Sequence, residues 1–505
     1  MLRPMRHARR PLLLAAALAA LAGCSRSSPA GDPYAYTPPP ATAPPAGLEA
    51  ATWASHLTGD LMPYWTMAEA QGTPVGNFPT WRGMDGSVQQ AGHTFRPRMM
   101  GRQIFAYSAA FLLTGDEAYL DLARAGNAWL LAHGRDTAQG GWFAELDAAG
   151  APVAGGAKYA QDMAYAAMGP AAYFYVTRDP AAEAAVKATR DLLFDPAAYW
   201  DAANARIRDG RSADLSTEVA MPGGSLSSWQ LVAQLDPVTA FELLVQPAFT
   251  AQADRDQALA DLRTLQGTLV RSFWKDGFFW GSTGNVGVFG SDHSDFGHML
   301  KGYWAVLQID KRLPDRPQAA FLAASAPVTL RLAYDEPNGR WAKLPLTPNV
   351  VRYGSDWWAY AEADQLAATL ALHDPAWIPV VGATAAHFRG DYVDRTRPAR
   401  EVVSSVSQTG SWVYPWPNAD TSKCNEWKSG FHSTEHALVM YLFSSWLAGT
   451  PAPLYFAFPA GQVDALAAVA TPYTLRGTVD SWEDLGPLAG DPTRHKVVVR
   501  FKELR

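Results

Sequence analysis

The spacing of its apolar residues constrains this chain more than any other feature. From about residue 50 to about residue 448 they recur at i, i+3, i+4 and i+7, the period of a helix with one buried face. The clearest runs are Arg102 to Leu113, Glu117 to Ala132, Asp162 to Val176, Ala181 to Leu193, Arg255 to Phe273, Phe296 to Ile309, Trp357 to Leu372 and Glu435 to Leu447. Short breakers join them in pairs: Thr114-Gly115-Asp116, Arg178-Asp179-Pro180 and His373-Asp374-Pro375 each read as a tight turn between two helices. Roughly a dozen helices in antiparallel pairs, with no alternating strands between them, predict an all-α fold closed into one ring of hairpins, an (α/α)6 barrel. A helical solenoid would use similar hairpins but repeat at a fixed sequence period, and the chain has none.

Beyond Pro451 the texture changes. Leu454 to Phe458, Tyr473 to Val479 and Lys496 to Phe501 are short and β-prone, which predicts a small strand-bearing appendage that supports the barrel. At the other end, Arg3, Arg6, Arg9 and Arg10 precede the apolar stretch Leu12 to Leu21, a signal sequence too short to span a bilayer. It ends in Leu21-Ala22-Gly23-Cys24, which resembles the bacterial lipobox, so Cys24 is the expected site of lipidation. Acyl chains contribute about 0.8 kcal/mol per buried methylene, enough for several together to hold a soluble domain on a membrane. Ser25, rather than an aspartate, follows the cysteine, which points to the outer membrane with the protein facing the periplasm. Residues 25 to 47, with Pro38-Pro39-Pro40 and Pro44-Pro45, carry no apolar period and read as an extended tether. The expected organisation is a signal peptide over 1–23, a tether over 24–47, the barrel over 48–450 and the appendage over 451–505.

Loss of the signal removes four arginines and no acid, so the net charge falls from -6 to -10, which sets nucleic acid aside as a partner. Cys424 is the one cysteine besides Cys24, so no internal disulfide forms in the oxidising compartment the signal implies, and the fold must rest on its core. The 19 Trp, 19 Tyr and 21 Phe are many rings for 505 residues; most must be core, and some are candidates to stack on a sugar.

Reactive and aromatic residues gather in three patches: Gly297-His298-Met299-Leu300-Lys301, Trp357-Trp358-Ala359-Tyr360-Ala361-Glu362, and Cys424 through His432 with Asn425, Glu426, Trp427 and Lys428 between. Two of them carry a histidine beside a glycine or tryptophan where a helix begins. A closed helical ring sets helix starts around one mouth, so the three patches are expected to converge there.

These residues resemble the N-acylglucosamine 2-epimerase and cellobiose 2-epimerase superfamily over about residues 50 to 448. The family's Gly-His-x-x-Glu pattern matches at Gly297 and His298, its Trp-Trp-x-Gln-Ala-Glu pattern at Trp357, Trp358, Ala361 and Glu362, and its Trp-Lys-x-x-Tyr-His-x-x-Arg pattern at Trp427, Lys428 and His432. A family arginine falls on Arg102, and Gly140-Gly141-Trp142-Phe143 with Asp147, Gly150 and Lys158 is also similar. The resemblance implies a carbohydrate epimerase or isomerase in which His298 and His432 flank the sugar's C2 and move a proton between its faces, with no cofactor. A carbon acid beside a carbonyl yields its proton to a neutral imidazole only if the enediolate is stabilised, and Arg102 is the expected donor. Trp427 and either Trp357 or Trp358 are candidates to stack on the pyranose, one of each pair being core. Glu362 either orients a histidine or holds a sugar hydroxyl, or else is a structural ion-paired carboxylate.

The chain also departs from the pattern. Lys301 stands where the family has glutamate and Glu435 where it has arginine, and the two are expected to form a swapped ion pair beside the histidines. A further family histidine has no match around Met221 to Ser225, and Tyr360 replaces the glutamine. His293, Asp295 and His298 form His-x-Asp-x-x-His, but no third ligand supports a metal and none is expected. Two other readings stay open at the sequence level. One is a glycoside hydrolase or polysaccharide lyase on the same toroid, with Asp162, Asp292, Asp295 and Glu362 as unpaired candidate carboxylates; the other is a sugar-binding lipoprotein without turnover.

Overall fold

The computed structural model describes residues 32–414 and 419–505. The chain divides into two units, Met1–Ala35 and Tyr36–Arg505, and the second carries all that follows. The signal segment and Cys24 lie outside the described residues. Among the described residues no helix is long and apolar enough to cross a membrane.

Among the described residues twelve helices build the ring: α1 (Ala50–His56), α2 (Pro97–Thr114), α3 (Glu117–Trp129), α4 (Ala160–Thr177), α5 (Pro180–Leu193), α6 (Leu231–Pro237), α7 (Gln252–Thr268), α8 (Phe296–Arg312), α9 (Ala319–Ala333), α10 (Trp357–Ala371), α11 (Ile378–His387) and α12 (Phe431–Leu447). Their burial separates two circles. On α5 the buried residues are Ala182, Ala185, Val186, Thr189, Arg190 and Leu193, a single stripe, and α3 and α9 show the same pattern. On α2, α4, α8, α10 and α12 nearly every residue is buried, as an inner circle wrapped by an outer one requires. In the inner circle α2 packs on α4, α4 on α6, α8 on α10, α10 on α12, and α12 back on α2. A buried ion pair, Lys301 to Asp236 at 2.6 Å, joins α8 to α6. The predicted all-α toroid is therefore the observed fold.

The breakers act as their chemistry demands. Gly115 adopts φ +70° after α2, and the Asp116 side chain accepts from the Ala118 amide to start α3. Arg178 takes the same left-handed turn after α4, and Asp179 caps α5 through the amides of Ala181 and Ala182. Outer helices run on into inner ones through connections that hold two- and three-stranded ladders, such as Lys158–Tyr159 against Gly210–Arg211 and Ser355–Asp356 against Ser405–Val406.

At the C-terminus β1 (Ala452–Pro459), β2 (Thr478–Pro487) and β3 (Arg494–Lys502) form an antiparallel sheet in the order β1-β3-β2, with Leu454 opposite Val499 and Phe456 opposite Val497. The second strand begins at Thr478 rather than at Tyr473, because Tyr473 turns with φ +59°. β1 packs on α2, α4 and α12, and the segment covers the C-terminal ends of inner helices: Arg312 Nη2 at the end of α8 donates to the Thr474 carbonyl at 3.0 Å, and Tyr441 of α12 donates to Pro453 O at 3.2 Å. The proline-rich stretch is held against the barrel from Thr37 onwards. Trp446 donates to Thr37 O at 3.0 Å, Arg389 donates to Gly47 O at 3.2 Å, and Leu48 is fully buried. Proline lowers the entropy lost when such a segment is fixed.

Candidate active site

Most of the residues singled out in the sequence fall in the first two turns of inner helices: Arg102 opens α2, His298 and Lys301 open α8, Trp358 and Glu362 open α10, and His432 and Glu435 open α12, while Trp427 sits in the loop before α12. Three residues that the sequence did not single out join them, Arg98 on α2 and Gln161 and Tyr165 at the start of α4. Side chains from all five helices line or underlie one cavity of about 570 Å³, in the range of sites that take small ligands. Helix N-termini carry unsatisfied N–H groups and a partial positive charge, so this mouth favours negative charge on whatever it binds.

His298 and His432 both line that cavity, with Trp358 between them: its ring centroid is 4.6 Å from His298 and 6.0 Å from His432. Asp295, the N-cap of α8, holds His298 twice. Its Oδ1 accepts the His298 backbone N–H at 3.1 Å, and its Oδ2 lies 2.7 Å from Nδ1. The ionised Asp295 fixes the tautomer with the proton on Nδ1 and leaves Nε2 as the basic nitrogen. The imidazole nearby holds the Asp295 carboxyl below the usual carboxylate range despite its burial.

His432 is buried more deeply. Its Nδ1 lies 3.3 Å from Glu362 Oε1 but off the line of a good hydrogen bond. Burial, and then the charges of Lys301 and Arg102, push this imidazole well below its ordinary pKa, so it is neutral across the physiological range. Glu362 itself is raised to about 8 by burial, and Glu435 to about 7 for the same reason. Gln365 links them, its Nε2 donating to Glu362 Oε2 at 3.1 Å and to Glu435 Oε2 at 3.3 Å, while the Tyr473 hydroxyl donates to Glu435 Oε1.

Lys301 and Glu435 do not form the expected ion pair. Lys301 Nζ pairs with Asp236 Oδ1 and donates to the Tyr165 hydroxyl at 3.2 Å. Asp236 is a buried carboxylate on the adjoining helix, whereas Glu435 is already engaged by Tyr473 and Gln365. Burial works against the Lys301 ammonium, but Asp236 outweighs it and holds the lysine charged.

Arg102 is 4% exposed, donates to the Trp427 carbonyl at 2.9 Å and lies 3.7 Å above the Tyr165 ring. Burial lowers it to about 10, still charged at neutral pH, and among the described residues no carboxylate pairs with it. It is a cation held ready for an anionic or developing negative oxygen. Arg98, one turn earlier, is committed to Asp162 at 2.7 Å and lies over Trp427 at 4.9 Å. Trp427 is 54% exposed at the rim, Trp358 is partly open, and Trp357 is buried with the Lys428 ammonium 5.2 Å from its ring. Of the three tryptophans singled out in the sequence, Trp427 and Trp358 are thus the open ones, while Trp357, which also lines the cavity, is buried.

Three participants were not assigned these roles from sequence. Asp295 appeared only as an unpaired carboxylate or metal ligand, although its place three residues before His298 is the N-cap signal that reveals it. His293 lines the cavity with its ring 4.8 Å from His298, in a left-handed conformation no sequence pattern announces. Tyr473 lay in a stretch read as a strand. Among the described residues one group of carboxylates and imidazole converges, Glu362, His432 and Glu435, with atoms within 4.8 Å of one another. Its chemistry suits a cation poorly, since Gln365 and Tyr473 already donate to the carboxyls and the Lys301 ammonium stands beside them.

A family model described as N-acylglucosamine 2-epimerase matches residues 76–373. No curated protein sequence matches the chain. Among solved structures, cellobiose 2-epimerase from Spirochaeta thermophila DSM 6192 superposes with a TM-score of 0.67 at 18% identity, covering 79% of this chain and 97% of the other. Cellobiose 2-epimerase from Bacillus thermoamylovorans B4167 gives 0.65 at 14%, covering 78% and 98%. A D-mannose isomerase gives 0.63 at 19%, covering 79% and 100%. At these identities the likeness is one of fold.

Proposed function

The chain belongs to the N-acylglucosamine 2-epimerase family, and from that premise we propose that it is a 2-epimerase or aldose-ketose isomerase acting on the reducing end of a mono- or disaccharide. The observation that supports this most is the pair of imidazoles, His298 and His432, lining one cavity with Arg102 beside them, paired with no carboxylate among the described residues. The imidazole that enters neutral takes the proton from C2 through Nε2, while Arg102 and the helix N-termini stabilise the enediolate oxygen; the opposite imidazole, entering as the imidazolium, delivers its proton to the other face, or the first base hands the captured proton to C1. Trp358 and Trp427 offer aromatic faces to the ring. The transfer needs no cofactor.

Hydrolysis would require two carboxylates flanking a glycosidic bond. The two buried carboxyls next to His432, Glu362 and Glu435, instead share one amide behind it, which favours proton transfer at carbon. Incubating the protein with reducing sugars in heavy water separates the readings. Deuterium is expected at C2 of product, and exchange is expected to vanish in His298→Ala and His432→Ala. New reducing ends without deuterium would replace this reading with hydrolysis; saturable binding with neither would leave a sugar-binding protein. We further propose that lipidation at Cys24 holds the enzyme on the outer membrane. Cys24→Ala is expected to move it from the membrane to the soluble fraction with its exchange rate unchanged, and retention on the membrane would refute the anchor.

A further inference from the structure

Behind His432 two carboxyls occupy one buried space. Glu362 of α10 and Glu435 of α12 are both about 2% exposed, and their oxygens and the His432 nitrogen lie within 4.8 Å of one another. Two like charges this close, out of water, do not both form readily, so one proton resides on the pair. The Gln365 amide sits between the two and donates to both, and so does not discriminate. One group does. Tyr473, turned inward from the C-terminal segment with its own amide held by the Tyr175 hydroxyl at 2.9 Å, donates to Glu435 alone.

We infer that Tyr473 is a positioning residue for His432: by fixing the carboxylate on Glu435 it leaves the shared proton on Glu362, the carboxyl that faces the imidazole. Glu362 then meets His432 Nδ1 as a neutral group, and the imidazole stays unprotonated and available as a base. The other charged and titratable groups around the pair and His432 are Lys301 on α8, held by Asp236 of α6, His298 on α8, Arg102 on α2 with Tyr165 on α4, and Lys428 just before α12. Among the described residues none of them hydrogen-bonds to Glu435. Removing the Tyr473 hydroxyl transfers the proton to Glu435, and Glu362 becomes an anion 3.3 Å from His432. The C-terminal appendage thereby reaches the catalytic centre from the side opposite the substrate. The inference rests on the reading of His432 as a base, but its test does not depend on turnover alone.

The test follows the His432 imidazole by NMR in the histidine-labelled protein, assigned by its loss in His432→Gln, across pH in wild type, Tyr473→Phe, Glu435→Gln and the double variant. The titration of His432 is expected to rise by roughly half a pH unit or more in Tyr473→Phe. Glu435→Gln, nearly isosteric, removes the competing charge and moves it the same way. The double variant matches Glu435→Gln, since Tyr473 acts only through that carboxyl. The acid limb of deuterium exchange at C2 shifts in parallel. An unmoved His432 titration in either single variant, or shifts that simply add in the double, overturns the inference. If Tyr473→Phe does not fold, Glu435→Gln decides alone. Absence of exchange in wild type would sink the epimerase reading and leave the NMR titration to judge the proton's place.

Discussion

Asp295 serves the structure and the chemistry with different oxygens, so a single substitution separates the two. Asparagine caps a helix as well as aspartate does, so Asp295→Asn keeps the bond to the His298 amide. It loses the negative charge that holds the proton on Nδ1. We expect turnover to fall about 10²- to 10⁴-fold, the range for a misplaced general base. The unfolding free energy should change by less than about 1 kcal/mol. Steady-state exchange rates and urea unfolding on one preparation check this; a stability loss large enough to account for the rate would reduce Asp295 to a cap. Lys301 gives the opposite balance. Lys301→Met strands Asp236 as an uncompensated buried charge and should cost about 3–5 kcal/mol. Adding Asp236→Asn removes that charge while keeping an acceptor for Gln161, and should recover most of the loss. If the double variant is as unstable as the single, the pair is not what Lys301 contributes.

The elements show why part of this molecule could be read in advance and part could not. A helix with one buried stripe announces itself by spacing, which is why Ala181 to Leu193 and Phe296 to Ile309 were found within a few residues of α5 and α8. Other boundaries moved for a physical reason: the runs Glu117 to Ala132 and Arg255 to Phe273 end in π-helical turns, Leu130–Gly134 and Leu269–Phe273, and the wider turn shifts the register without breaking the apolar period. His298, His432 and Glu362 stood in patches read as converging helix starts, and Arg102 was placed by the family resemblance; the structure brings all four to one mouth because helix starts around a ring share it. The partner of Lys301 was not, since nothing in the spacing around Asp236 says which inner helix faces α8. Tyr473 was hidden because an aromatic flanked by β-formers reads as strand, and only the tertiary fold turns it inward. At this scale the appendage can be tested as a structural part. Phe456 is fully buried in β1 with its ring 5.7 Å from Tyr175, and Phe456→Ala should cost about 3–5 kcal/mol. A cost under about 1 kcal/mol in denaturant unfolding would mean that β1 merely rests on the barrel and does not support it.

Taken whole, the molecule buries titratable groups of opposite sense near its axis, and its stability must follow them. Glu362 and Glu435, raised to about 8 and about 7 by burial, hold protons in the folded state that an unfolded carboxyl releases near 4.5. Their contribution is therefore present at low pH and lost as pH climbs from about 4.5 to 8. His56, lowered to about 4 by burial, and His432, held well below its ordinary value for the same reason, work the other way: folded they stay neutral, so their contribution is present above 6.5 and lost as pH falls. Between about 4.5 and 6.5 the two effects oppose each other; above 6.5 the histidines drop out and the raised carboxyls remain, Glu242 among them because burial raises it too. Unfolding free energy should therefore fall between pH 6.5 and 8, and Glu435→Gln should lessen that fall by roughly 1–2 kcal/mol, since it removes one group that must ionise and lets Glu362 ionise without a neighbour. Urea unfolding of both proteins at the two pH values measures the difference directly. A wild type whose stability is flat across that interval, or a variant that declines just as steeply, would show that the pair carries no proton at pH 6.5.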